Sequence, residues 1–446
     1  MNLSLSTVVV LLAYLAAISF FGFYLGRKRK SVDDYFLASR SVPWWAIAAC
    51  VVATETSTLT FTSVPGFSYN GNWAFLQLAL GYILGRFIIA ALLIPAYFRG
   101  EVFTSYELLL RRFGPSVRNV AAAVFLVYRT LADGIRLHAA ALVVAVVVGA
   151  PEPYFILVLA AAMMFYTEEG GVKATIWTDV VQMFVYLAGA LAVLVAVTSA
   201  LPGGISEAVA SAAAEGKMQV LDLSFDLGNT YTFWSGVIGG MFLTLATHGT
   251  DQYLVQRLLA ARSARDAGRG LVLSGFVVFG QFALFLLIGT LLWSFYGGQS
   301  FARGDEVLPT FIANELPGAW TGFILAAVVA AALSPSLNSL ASTTLKDFYI
   351  PYLNPGAGEA QQIRLGRIFT VFWGVAQAIV ALLAQRASSA LEAGLAALSY
   401  ASGPTVGAFL LGVSSRRATS AGTLIGMLAG LTAPTLVGLL TPLAWT

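Results

Sequence analysis

Long apolar runs separated by short polar links recur along the whole chain, and each run is about 20 residues long, enough to cross a bilayer as a helix. The pattern predicts spans near 4–26, 42–66, 73–98, 118–149, 152–169, 173–200, 231–250, 270–297, 319–345, 364–386, 391–413 and 419–441, about twelve in all. Two of these runs are interrupted. In the second, Ala53-Thr-Glu-Thr-Ser-Thr-Leu-Thr-Phe61 puts hydroxyls and a carboxylate, Glu55, in mid-membrane, with Pro65-Gly66 close behind. Irregular backbone survives at that depth only where it lines a cavity. In the 231–250 run, Gly239-Gly240 precede Thr244, Thr247, His248, Gly249 and Thr250, with Asp251 next. The two interrupted spans sit five apart, as the first helices of two inverted five-helix repeats would. Such a pair points to the central site of a transporter.

Composition fixes the solvent. Of 446 residues, 58% are hydrophobic and 11% charged, where a soluble domain carries roughly 25% charged residues. Mean hydropathy is +0.80. A single cysteine, Cys50, excludes an internal disulfide framework and a multi-cysteine metal cluster. Two histidines, His138 and His248, argue against a histidine-based metal centre, and a formal charge of +3 spread over links argues against nucleic-acid binding. The first apolar run, Leu3 to Leu25, exceeds a signal-peptide core and lacks a cleavage-like site, so it reads as a retained span. The chain, 1–446, reads as one membrane domain with no soluble module.

Charge then orients the spans. Basic links hold Arg27, Lys28, Arg29, Lys30 and Arg40; Arg99, Arg111, Arg112 and Arg118; Arg257, Arg262, Arg265 and Arg269; Lys346, Arg364 and Arg367; and Arg416 with Arg417. They follow every second span, which makes those faces cytoplasmic and the N-terminus external. The opposite links are acidic or neutral: Glu207, Glu215, Asp222 and Asp226 face a lone Lys217, and Asp305, Glu306 and Glu315 face Arg303. The link at Glu168, Glu169 and Lys173 breaks the rule slightly.

One carboxylate stands out. Asp179 lies about a turn inside the apolar segment Val172 to Ala200, and Gln182 follows three residues on, on the same helix face. A charge at that depth is costly unless it meets a cation, a partner or water, so both residues read as part of an ion or solute path. A buried ion pair with a basic neighbour explains Asp179 equally simply. Arg129, Asp133 and Arg136 have helical spacing and could neutralise one another as a ladder. Glu55 reads either as an ion or proton site or as a buried structural carboxyl. His248 reads as a capping or hydrogen-bonding group in a broken helix, and Asp251 with Arg257 as structural partners at a cytoplasmic helix end.

Several stretches, in order along the chain, resemble the sodium:solute symporter family. They are Asp34-Tyr-Phe-Leu-Ala-Ser-Arg40, Ala53–Gly66, Thr104-Ser-Tyr-Glu107 with Arg112-Phe-Gly114, Gly170–Gln182, Gly249-Thr-Asp-Gln-Tyr-Leu-Val-Gln-Arg257, and Leu337-Asn-Ser339 with Asp347-Phe-Tyr349. The resemblance implies an all-α, LeuT-type membrane fold of inverted five-helix repeats at 42–200 and 231–413, an extra N-terminal helix at 4–26 and a further helix at 419–441. It implies alternating-access symport of a small organic solute such as a sugar, a sialic acid or another organic acid, with sodium as coupling ion rather than as a tightly bound cofactor. The plasma membrane, in bacteria the inner membrane, is the implied location. Solute, cation and bilayer are the implied partners; nothing points to an obligate protein partner.

Carried over residue by residue, the resemblance places substrate contacts on Ser57, Thr60, Gln77 and Arg136. It places the common sodium site on the carbonyls of Ala53 and Thr56 and a second sodium site on Asp179 and Ser334, leaving Glu55 and Gln182 as further ion-path candidates. One departure weakens the sodium reading. The paired hydroxyls that the family supplies to the common site fall, by alignment on Leu337-Asn338-Ser339, on Ala331 and Ala332. Sodium is a hard cation that wants a shell of oxygens, and methyl groups provide none. Proton coupling through Glu55 or Asp179, and uncoupled transport, therefore stand beside sodium. A membrane sensor on the same scaffold and an intramembrane enzyme are the other classes. The first would carry an appended signalling domain, and for the second no nucleophile–base pair is evident. The chain stops at Leu443-Ala-Trp-Thr446, just past a span, so a short family member or a trimmed chain is expected, with both termini external.

Overall fold

Each apolar run is met by helix. The computed structural model describes residues 5–26, 38–100, 102, 105–166, 172–226, 228–332, 336–385 and 390–441. The helices are α1 (Leu5–Gly26), α2 (Trp44–Glu55), α3 (Thr58–Asn70), α4 (Phe75–Ile88), α5 (Ile94–Gly100), α6 (Ser105–Phe113), α7 (Pro115–Val148), α8 (Glu152–Tyr166), α9 (Val172–Ala200) and α10 (Gly204–Ala214). They continue as α11 (Phe233–Gly249), α12 (Gln252–Leu259), α13 (Ala264–Phe295), α14 (Val307–Glu315), α15 (Gly318–Ala332), α16 (Ser336–Thr343), α17 (Glu359–Ala384), α18 (Ala390–Ser414) and α19 (Ser420–Leu440). Among the described residues, five helices are long and apolar enough to cross a membrane alone, and α2 with α3, bent by 63°, are so when taken together.

The expected interruption at Ala53–Phe61 narrows to Thr56 and Ser57, both in extended backbone between α2 and α3. Hydroxyl-rich sequence favours such a break because short polar side chains compete with the helix's own hydrogen bonds. The second interruption lies further on than the glycines suggested: α11 runs unbroken through Gly239-Gly240 and ends at Gly249, Thr250 and Asp251 depart from helix, and α12 begins at Gln252. The glycines serve packing instead. Gly81 on α4 meets Gly236 on α11, Gly240 meets the backbone of Leu78, and a methyl on Gly85 would lie 2.7 Å from the Met241 carbonyl oxygen. Small residues four apart on both helices let the backbones touch, the device expected where lipid supplies no hydrophobic drive.

The links sort into two ends. Val42 pairs with Ala261 across backbone hydrogen bonds, and Arg112 Nη2 donates to the carbonyls of Ser415 at 2.9 Å and Ala418 at 3.0 Å. Arg118 Nη2 donates to the Asp347 carbonyl at 3.1 Å. Basic links thus touch basic links. At the other end, Lys217 Nζ donates to the Tyr69 carbonyl at 2.7 Å, Tyr69 OH to that of Gln299 at 2.6 Å, and Ser294 Oγ to that of Ala208 at 3.2 Å. Segments expected as plain links carry helices α10 and α14, with α10 packed on α13 and α14 on α3.

Candidate functional site

Breaking one helix in mid-protein creates two unlike poles. The last turn of α2 presents carbonyls without helical partners, and the first turn of α3 presents unpartnered amides. Contacts from three helices hold the break open. Thr56 Oγ1 donates to Gln281 Oε1 on α13 at 2.8 Å, Tyr186 OH on α9 to the Ser57 carbonyl at 3.4 Å, and Thr58 Oγ1 to the Val328 carbonyl on α15 at 3.2 Å.

On one side of the break lies a cavity of about 90 Å³, lined by Glu55, Ser57 and Thr60 from the break and Arg129 and Arg136 from α7. Thr54 of α2, Tyr82 of α4 and Thr244, Thr247 and His248 of α11 complete its polar lining. Such a volume admits several waters at roughly 10–15 Å³ each, or a small solute once side chains adjust. Ser57, Thr60 and Arg136 thus converge, as the resemblance implied. Gln77 does not join them. Its Nε2 donates to the Tyr231 carbonyl at 2.7 Å, and its Oε1 accepts from the Asp222 amide at 3.0 Å, so this fully buried amide pins the 219–232 link to α4.

The charge ladder on α7 is only partly closed. Arg129 Nε donates to Asp133 Oδ2 at 2.9 Å and its Nη1 to Asp251 Oδ2 at 3.4 Å, with the guanidinium stacked 4.4 Å over the Tyr253 ring. Arg136 is held loosely: its Nη1 sits 3.9 Å from Asp133 Oδ1 and 3.4 Å from the Thr54 carbonyl. The site therefore contains one well-paired arginine and one with capacity to spare.

On the other side of the break, Ala53 and Thr56 face Gln182 and Tyr186 of α9 and Ala327 of α15 around a cavity of about 10 Å³. Asp179, one turn before Gln182, is firmly paired through one carboxylate oxygen. Arg257 of α12 directs Nε at 3.1 Å and Nη2 at 3.0 Å onto its Oδ2, and Cys50 Sγ donates to the same oxygen at 3.1 Å. The Thr54 hydroxyl lies 3.4 Å from that oxygen while donating to the Cys50 carbonyl. The expected partnership of Asp251 with Arg257 is replaced. Arg257 goes to Asp179, and Asp251 caps α12 by accepting from the Tyr253 amide at 2.7 Å while taking Arg129. Ser334, the expected companion of Asp179, lies outside the described residues.

Glu55, proposed from sequence as an ion-path residue, faces the larger cavity. Arg86 of α4, fully buried, forms a salt bridge with it, and His248 Nε2 stands 3.4 Å from the same carboxylate oxygen. Arg86 is the functional-looking residue the sequence reading passed over. Its signal was plain, a lone charge in the middle of an apolar run. Gln281, which braces the break at Thr56, is a second.

Two interrupted helices, buried charges beside a polar cavity and apolar spans throughout define a multi-pass membrane carrier. Its architecture is of the LeuT type: a solved structure of a Na+-coupled sialic acid symporter in a substrate-bound outward-open state superposes with a TM-score of 0.89, covering 99% of this chain and 94% of that one at 25% identity. The chain belongs to the sodium:solute symporter family, whose model, described as Sodium:solute symporter family, matches residues 35–430. It is 31% identical to the sodium-dependent multivitamin transporter of Oryctolagus cuniculus over 95% of its own length and 68% of that protein's. It is 27% identical to the sodium/sialic acid symporter SiaT of Proteus mirabilis over 95% of its length and 88% of that protein's.

Proposed function

We propose that the chain is a secondary active symporter that carries a small organic acid or acidic sugar with sodium by alternating access. One observation carries the reading: the break at Thr56–Ser57 opens on one side to a cavity with hydroxyls and a loosely held arginine, and on the other to helix-end carbonyls. Ser57 and Thr60 supply hydrogen bonds to the solute and Arg136 holds its carboxylate, a charge-assisted contact worth about 1.5–3 kcal/mol. Sodium enters as co-transported substrate at the carbonyls of Ala53 and Thr56, with Asp179 and Ser334 as a second ion position. Repeats at 42–200 and 231–413 would rock about this point, with the N-terminus external in a plasma, or bacterial inner, membrane. The reading makes the chain a carrier rather than an enzyme, with solute, ion and lipid as its partners.

The sequence at the end of α15 favours a second reading. Ala331 and Ala332 stand where the family resemblance implies hydroxyls, and their loss favours proton coupling or uncoupled transport. Initial uptake of an acid into proteoliposomes, measured against sodium at fixed pH with choline as replacement, separates the two. A saturating rise with sodium supports symport with sodium, and a flat response rules it out.

A further inference from the structure

Glu55 is a carboxylate with one oxygen used and one to spare. Arg86 Nη2 donates to Oε2, and His248 Nε2 lies 3.4 Å from the same oxygen. The Thr247 hydroxyl lies 3.0 Å from the Leu243 carbonyl and 2.8 Å from His248 Nδ1. Arg86 Nη2 sits 3.3 Å from His248 Nε2. Arg86 thus clamps both Glu55 and His248 and fixes the carboxylate's orientation. Among the described residues Oε1 of Glu55 takes no hydrogen bond, and Glu55 lines the cavity together with Ser57, Thr60 and Arg136. Arg136 at the same cavity has the opposite surplus, donors whose nearest carboxylate is 3.9 Å away.

We infer that Glu55 Oε1 is a recognition point for a hydrogen-bond donor on the solute, so that the cavity selects acids bearing a second, N–H or O–H, group over simple carboxylates of equal length. The inference rests on the reading of Arg136 as carboxylate anchor and adds the second contact. A site built to accept a donor leaves its acceptor unpaired when the donor is missing, which is why discrimination of this type is strong. Arg86 is the positioning residue: it neutralises Glu55, so the solute need not bring a full positive charge.

The test uses the full-length purified protein and isothermal titration with gluconate, 6-aminohexanoate, hexanoate and sorbitol. The wild type is expected to bind gluconate or 6-aminohexanoate about 10- to 100-fold more tightly than hexanoate. In Glu55→Leu/Arg86→Met, which removes acceptor and buried charge together, the ratio should fall to within about three-fold. Glu55→Gln, which keeps an oxygen but not the charge, should weaken 6-aminohexanoate more than gluconate, and it remains informative if the double variant fails to fold. Equal binding of all three acids by the wild type, or a ratio unchanged in the variants, overturns the inference and leaves Arg136 standing. Binding of sorbitol with no acid bound overturns the reading of Arg136 beneath it.

Discussion

The two faces of the broken helix differ in how much their charges have left to give. On the proposed solute face, Arg136 touches, among the described residues, only a carbonyl at 3.4 Å and a carboxylate at 3.9 Å, beside a cavity of about 90 Å³. On the proposed ion face, Asp179 receives two nitrogens of Arg257 and the thiol of Cys50 on one oxygen, and the cavity at Ala53 and Thr56 is about 10 Å³. The difference separates two uses of intramembrane charge. A loosely held charge is available to a ligand, whereas a closely paired one fixes the relation between helices, here α9 and α12, until something competes for its partner.

The largest expected effect follows from that close pairing. Asp179→Asn removes the counter-charge from Arg257, which is nearly inaccessible, and breaking a buried pair this way costs about 3–5 kcal/mol. Thermal unfolding of the purified variant should show the loss, and gradient-driven uptake should disappear while solute binding largely persists. Asp179→Asn/Arg257→Gln separates the roles: stability should return, and uptake should not if Asp179 also serves the ion. Full recovery of sodium-dependent uptake in the double variant would make the pair purely structural and return the ion to the carbonyls alone.

Arg136→Ala comes next and probes the opposite face. Because its ion pair is long, stability should change by less than about 1 kcal/mol, while acid affinity falls about 10- to 100-fold in titration. A large fall in stability with affinity unchanged would place Arg136 with the closely paired charges and erase the contrast between the faces.

Gln77→Leu sharpens the boundary of the cavity. Its amide bonds to Tyr231 and Asp222 backbone predict a loss of about 1–3 kcal/mol from orphaned backbone groups, read by thermal unfolding, with acid affinity within about two-fold of wild type. A strong affinity loss at wild-type stability would return Gln77 to the solute.

The fold was legible in the sequence because lipid imposes one solution on an apolar run, a helix with its backbone satisfied internally. Helix ends followed the same logic, and the hydroxyl cluster at Ala53–Phe61 marked the first break to within a few residues. Glycine misled at Gly239-Gly240, since a glycine that permits close approach and one that breaks a helix look alike in a single sequence. The site was half legible. Ser57 and Thr60 sit beside the break and Arg136 on the facing helix, all announced as polar groups at membrane depth. What sequence could not give was who satisfies whom. Gln77, Asp179 and Glu55 are equally polar on paper, and only the packing of α4, α11 and α12 assigns their partners, Tyr231, Arg257 and Arg86.

The smallest expected effect tests the ion face directly. Ala327 lines the small cavity with Ala53 and Thr56, and Ala331 follows four residues later on α15, one turn along the same helix. Oxygens added there would join a shell now drawn from helix-end carbonyls, and each neutral ligand gained should add on the order of 1 kcal/mol. Ala331→Ser with Ala332→Ser should therefore lower the half-saturating sodium concentration for uptake about three- to ten-fold without altering acid affinity in sodium-free titration. Removing a helix-favouring alanine for serine costs a few tenths of a kcal/mol at each position, too little to obscure the result. An unchanged sodium response would mean that the register set by Leu337-Asn338-Ser339 does not bring these positions to the ion. A rise in acid affinity without sodium would place them on the solute face instead, and the division of the break into two faces would fail at its far end.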